Sequence, residues 1–177
     1  MLAATSQSFA DLFREHAPHA GRALRNLGVS EPDVPDALQE TFLVVHRKLS
    51  EFRGDSSVRT WIYGICLRVA AAHRRRPHRR REVGLDEADD RATDRTPHDD
   101  AEQRQALTRL DEVLDGLDDD KRAAFVLYEI EELTLAEIAE AVGAPLPTVY
   151  SRLKAARKAV EEAFATDRSA AEEGQSA

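Results

Sequence analysis

A chain of 177 residues with a formal net charge of −8, 42% hydrophobic residues and only 8 glycines has room for one or two small helical domains. Its single cysteine excludes an internal disulfide and a cysteine-built metal cluster, so a reducing cytoplasm is the expected setting. No window approaches the apolar length of a membrane span, and the opening MLAATSQSFADLF has neither the charged start nor the apolar core of a signal peptide.

The charge is divided into blocks. Residues 1–81 carry a net +6, residues 82–103 a net −7, residues 104–165 a net −5 and residues 166–177 a net −2. An acidic total therefore does not exclude a nucleic-acid partner, because the basic residues are segregated.

Ser8-Phe9-Ala10-Asp11 has the form of a helix start, and Phe9, Leu12, Phe13, Ala17, Ala20, Leu24 and Leu27 continue it as an apolar stripe that Gly28 ends. Ser30 with Asp33 opens a second helix, with Pro32 and Pro35 confined to its first turn and an inner stripe of Val34, Leu38, Phe42, Val45 and Leu49. Its other face carries Asp36, Gln39, Glu40, Leu43 and Arg47, which a core does not need. A solvated surface accounts for that face as well as a partner does.

A short polar loop, Ser50–Ser57, leads to a third helix capped by Ser56 or Ser57, with Val58, Trp61, Ile62, Ile65, Val69 and Ala72 on one stripe. This helix runs into six arginines within the eight residues Arg74–Arg81, a phosphate-seeking patch. Phe52, Trp61 and Tyr63 precede it, and aromatic rings beside cations are what single-stranded bases stack on. A core role for the buried part of Trp61 is compatible with the same pattern.

Residues 82–103 have no apolar period and a dense negative charge, which predicts a flexible acidic linker. Leu107, Leu110, Leu114 and Leu117 then form a stripe, and Asp118–Asp120 open a helix anchored by Phe125, Leu127 and Ile130. Thr134 and Glu137 make a capping box for a helix with Leu135, Ile138, Ala139 and Val142 on one face. Gly143 can adopt the left-handed conformation that ends it. A last helix follows, with an inner stripe of Val149, Leu153, Ala156, Val160 and Phe164 and an outer face of Arg152, Lys154, Arg157 and Lys158. Two helices so joined predict a helix–turn–helix whose second member lies in a DNA major groove. An ordinary helical hairpin with a basic face is the bland alternative. Residues 166–177 read as a disordered tail.

The pieces D-x-x-Q-E-x-F, F-R-G-D-S-S and R-T-W-I-Y occur in order within Asp36–Arg76, and the later stretch LDGLDDDKRAAFVLYEIEELTLAEIAEAVGAPLPTVYSRLKAARK follows them. Together they resemble the extracytoplasmic-function sigma factors, promoter-recognition subunits of bacterial RNA polymerase. The resemblance implies an all-α fold of two small helical domains. Residues 6–81 would be sigma region two, 82–103 a linker threading toward the polymerase RNA channel, and 104–165 region four with its helix–turn–helix.

It also implies roles. Asp36, Gln39, Glu40, Leu43 and Arg47 would dock on the clamp of the polymerase large subunit, with the flap as a further contact of the family. Phe52, Arg53, Asp55 and Ser56 would line a pocket for a base flipped from the minus-ten element, and Trp61, Tyr63, Arg68, His73, Arg74 and Arg75 would follow the opened strand. Tyr150, Ser151, Arg152, Lys154 and Arg157 would read the minus-thirty-five element, with Thr148 and Lys158 on phosphates. The implied partners are core polymerase, promoter DNA and an anti-sigma factor, with no cofactor, metal or small-molecule substrate. Stress-response genes are the expected target.

This chain departs from the family pattern at Gly64 and Arg68, where Arg and Asn are usual, at Tyr150 and Ala155 in the reader, and at Cys66, where Ala is usual. Cys66 beside an apolar stripe is expected to be a buried structural thiol. An enzyme is not expected: the six histidines show no ligand spacing with carboxylates or cysteine, and no glycine loop cradles phosphate. An autonomous operator-binding regulator would leave F-R-G-D-S-S and R-T-W-I-Y without a purpose.

Overall fold

The computed structural model describes residues 8–75 and 97–174, with side chains defined for 8–75 and 104–166. Among the described residues the fold is all-α. Three helices come first: α1 (Phe9–Asn26), α2 (Val34–Lys48) and α3 (Val58–Arg75). Four follow: α4 (Pro97–Asp115), α5 (Asp119–Phe125), α6 (Leu135–Val142) and α7 (Leu146–Gly174).

Local chemistry sets most boundaries. The Ser8 side chain accepts from the Ala10 amide to cap α1, and Gly28 leaves the helix region at φ 90° to turn the chain. Pro32 lies in a single 3-10 turn, Glu31–Asp33, before α2. Asp118 accepts from the Lys121 amide to open α5, which loosens into a π-type turn over Val126–Ile130. The Thr134–Glu137 capping box is complete in both directions, and Gly143 takes the left-handed conformation at φ 66°.

Two boundaries differ from the sequence reading. Helix α4 begins at Pro97, inside the stretch expected to be linker, and α7 continues through the expected tail to Gly174. Pro97 suits a first helical turn, where its missing amide is no loss. The rest of the expected linker, residues 82–96, and Arg76 and Arg79–Arg81 of the basic run lie outside the described residues.

The first three helices pack through Leu12, Leu24, Val34, Phe42, Val45, Ile62, Ile65 and Val69. Each such side chain, fully buried, contributes roughly 1.5–3 kcal/mol relative to exposure. The same cluster takes in Leu114, Phe125, Val126 and Ala156 from the second half of the chain. A second cluster joins Ala23 and Tyr63 to Leu127, Leu133, Ile138 and Val149. The two helical domains thus share core with each other. Of the α4 stripe, Leu114 is buried whereas Leu107 is 46% exposed.

Candidate nucleic-acid interface

Between α2 and α3 the chain makes one 3-10 turn, Leu49–Glu51, then an irregular loop in which Gly54 sits at φ 75°. Ser57 accepts from the Thr60 amide at 3.0 Å and so fixes the start of α3. This geometry brings the Phe52 ring against Trp61, with centroids 4.9 Å apart and planes tilted by 38°. Around that pair lies a cavity of about 300 Å³, lined from this half by Glu51, Arg53, Asp55, Ser56, Thr60, Gly64 and Arg68. An aromatic floor with a mixed polar and cationic rim can stack a base, hydrogen-bond its edge and hold its phosphate. Phe52, Arg53, Asp55, Ser56, Trp61 and Arg68 are therefore brought together.

Two further walls, Glu140 and Ala141, belong to α6 in the other half. Nothing in the periodicity of either segment announces them. The one sequence signal for this approach is Gly64, whose missing side chain lets α3 and α6 come close.

The remaining strand-following residues diverge. Arg75 at the end of α3 is exposed. Arg74 pairs with Asp119 of α5 at 2.6 Å. His73 is buried, with Nε2 3.1 Å from Glu40 Oε2. Tyr63 is buried as well, and its hydroxyl donates to Glu131 Oε2 at 2.5 Å. Burial and the bond to that carboxylate push the Tyr63 hydroxyl up to about 12. As placed here, Tyr63 does not face the cavity.

On α2, Asp36, Gln39, Leu43 and Arg47 all lie on the exposed face, Leu43 being 51% exposed, while Glu40 is half-buried through its contact with His73. Replacing Glu40 would disturb α2–α3 packing along with any docking. Leu43 is the cleaner probe of that face.

Helix α7 buries Val149, Leu153 and Ala156 and turns Tyr150, Ser151, Lys154, Arg157 and Lys158 to solvent, with Thr148 and Arg152 at the edge. Ser151 donates to the Thr148 carbonyl at 2.8 Å. Arg152 pairs with Asp120 at 2.5 Å, and Lys158 lies 3.5 Å from Glu162. Arg157 pairs with Glu129 at 2.5 Å and sits 5.0 Å over the Tyr128 ring. The hydrogen bond that Arg157 donates to Glu129 raises its guanidinium above its ordinary value, so it stays fully charged. These exposed pairs are screened, exchangeable contacts that phosphates can displace.

Cys66 is fully buried, and burial pushes its thiol up to about 12, which makes it a packing residue. Among the described residues no group of three or more His, Cys, Asp or Glu side chains could hold a metal ion, and no helix is long and apolar enough to cross a membrane.

Comparison with known proteins bears on both halves. Residues 12–81 match the model for sigma-70 region 2, and residues 102–160 match that for sigma-70 region 4. The chain is 33% identical over 142 residues to the ECF RNA polymerase sigma-E factor of Haemophilus influenzae, covering 75% of each. It is 33% identical over 156 residues to that of Escherichia coli K12, covering 81% of this chain and 80% of the relative. Similar folds occur in CnrH, solved in complex with the cytosolic domain of CnrY (TM-score 0.69, 24% identity, 90% of this chain and 88% of that one). Another is the sigma factor RpoE from Bartonella quintana, solved with the anti-sigma factor NepR (TM-score 0.68, 20% identity, 90% and 98%). A cavity with an aromatic floor between α2 and α3, a helix–turn–helix at the other end of the chain and these two matched regions lead to one assignment: the chain belongs to the extracytoplasmic-function sigma factors.

Proposed function

We propose that this sigma factor docks on core RNA polymerase through the outer face of α2 and captures a flipped minus-ten base in the cavity between α2 and α3. The exposed face of α7 reads the minus-thirty-five element. In this division residues 6–81 melt the promoter, 82–103 span the gap, and 104–165 give the second grip. Two linked contacts raise each other's effective concentration, so neither needs high affinity alone. Phosphate contacts from Thr148 and Lys158 set register, and Tyr150, Ser151, Arg152, Lys154 and Arg157 supply base contacts. The polymerase carries the catalytic centre; this chain contributes recognition and melting. By analogy with the two sigma factors solved with bound regulators, an anti-sigma factor controls its release to a stress-response gene set, which sets its place of action in the cytoplasm.

The observation that carries this reading is the convergence of Phe52, Trp61, Arg53, Asp55, Ser56 and Arg68 on one cavity of about 300 Å³. Base extrusion costs a few kcal/mol, and stacking on an aromatic platform returns roughly 1–3 kcal/mol, so the pocket can offset most of that cost without ATP. The test is transcription by core polymerase on a genomic fragment library, with the purified chain as the only specificity factor. Start-specific transcripts that require the chain are expected. Duplex binding without polymerase, and no transcripts with it, would overturn the reading.

A further inference from the structure

We propose that Leu146 and Tyr150 are specificity-determining residues of the reader: their exposed side chains pack against thymine C5-methyl groups in the major groove of the minus-thirty-five element. This rests on the assignment of the exposed face of α7 to that element, and it names the base feature that the face reads.

Three observations carry it. Leu146 is 46% exposed and Tyr150 55% exposed, and neither belongs to a core cluster. Four residues apart on α7, they lie one above the other on the same flank. They also stand in its first turns, and the N-terminal residues of a reader helix are the ones that reach base edges. The thymine methyl is the apolar group that a base pair offers there; the other major-groove features are hydrogen-bond donors and acceptors. An apolar pair set over guanine or cytosine would leave those polar groups unpaired, which costs affinity.

The second observation is where the charges stand. Arg152 is held by Asp120, Arg157 by Glu129 and Lys158 by Glu162, all further along the helix than Tyr150. Lys154, four residues after Tyr150, is exposed and continues the same flank. The apolar pair is therefore continuous with a cationic face, which suits a duplex and its phosphates better than an apolar protein groove. The third observation is rigidity. Leu146 sits between Pro145 and Pro147, and the Thr148 and Val149 amides both donate to the Pro145 carbonyl, at 2.9 Å and 3.1 Å. Val149 is buried and anchors this turn in the second core cluster. Side chains on so fixed a turn need little ordering on binding, so more of the methyl contact appears as affinity.

The experiment loads the full chain on core polymerase and selects binders from a random-sequence duplex pool. Thymines are expected at fixed positions of the upstream element. The selected duplex is then made with thymidine or with deoxyuridine at those positions, which removes the methyl and leaves the O4 acceptor and the base pairing in place. Each methyl removed should cost the wild type about fourfold in affinity. Leu146→Ser combined with Tyr150→Ser should bind the two duplexes equally, and Tyr150→Phe should keep the wild-type preference. Thermal unfolding should be unchanged in both, because both side chains are exposed. An enriched upstream element without thymine, or deoxyuridine bound by the wild type as tightly as thymidine, overturns the proposal. So does a methyl preference that survives in the double variant. A double variant that loses core-polymerase binding instead makes the pair a protein contact and overturns it too. A pool with no enriched element overturns the sigma-factor reading as well, whereas an enriched element without methyl dependence overturns this proposal alone.

Discussion

The outer face of α2 and the cavity face of α3 are both interaction surfaces in this account, yet the molecule treats them differently. On α2, Asp36, Gln39, Leu43 and Arg47 are exposed, uncovered by the other described residues. On α3, Gly64 meets the Ala141 backbone, Tyr63 is tied to Glu131, and Arg74 to Asp119. The face proposed for polymerase is exposed, while the face proposed for promoter DNA lies against α6. That difference orders the events: a chain so built can find polymerase before it can find DNA, and docking can precede exposure of the strand-binding cavity.

The contrast can be broken first at α2. Leu43→Glu buries a charge in the interface centre and should weaken core-polymerase binding by about 2 kcal/mol or more, as loss of a hot-spot residue does. Because Leu43 is 51% exposed, thermal stability should hold; a fall in melting temperature with unaltered binding would remove Leu43 from the docking face. On the covered face, Phe52→Ala removes one ring of the aromatic floor but lies outside both core clusters. Open-complex formation should drop by roughly 1–3 kcal/mol with polymerase docking intact, read by permanganate footprinting; undiminished melting would empty the cavity of its role.

A third, smaller effect concerns the reader. Lys158→Ala should lower the slope of duplex affinity against salt by about one phosphate contact. The pair with Glu162 must be exchanged first, so the affinity loss itself should be modest, and an unaltered slope would place Lys158 off the phosphates.

The weakest expected effect is on the contact between the two halves and its pH dependence. Burial alone would raise the Glu131 carboxyl, but the Arg22 and Tyr63 hydrogen bonds and the Arg22 and Arg59 charges outweigh it and hold the carboxyl below its ordinary 4.5. A carboxylate depressed where the halves meet favours that contact above its ordinary value and loses that contribution as pH falls through the depressed one. The groups around it, Glu15, His16, His19 and Glu132 besides its partners, leave that sign in place at neutral pH, where Glu131 is ionised. Acidification below the usual glutamate range should therefore increase acrylamide quenching of Trp61 in wild type and leave Glu131→Lys unchanged.

Much of this molecule was legible in its sequence. The Thr134–Glu137 capping box, Gly143 and the Asp118 cap mark helix ends because each satisfies backbone groups locally, and the helices form where their chemistry says. The exposed face of α2 and the Phe52–Trp61 loop were readable for the same reason: their residues lie close together in the chain. The contact between the two halves was not readable. Glu131-Glu132 looks like a solvated acidic corner, and only three-dimensional packing sets it among Arg22, Arg59 and Tyr63. Tyr63 beside an arginine run suggests a stacking ring, while its spacing from Ile62 and Cys66 turns it inward. Gly64 departs from a usual arginine, and only the fold shows that the Ala141 backbone, 77 residues further on, would stand 3.0 Å from a Cβ there.

The most direct test of the account compares the same chain before and after docking. Spin labels at Arg14→Cys on α1 and Glu161→Cys on α7, with the buried Cys66 unreactive, report the separation of the two halves by pulsed electron resonance. One short, narrow distance in the free chain that lengthens when core polymerase is added is the predicted result. A distance that is the same in both states, or a broad long one in the free chain, would contradict it.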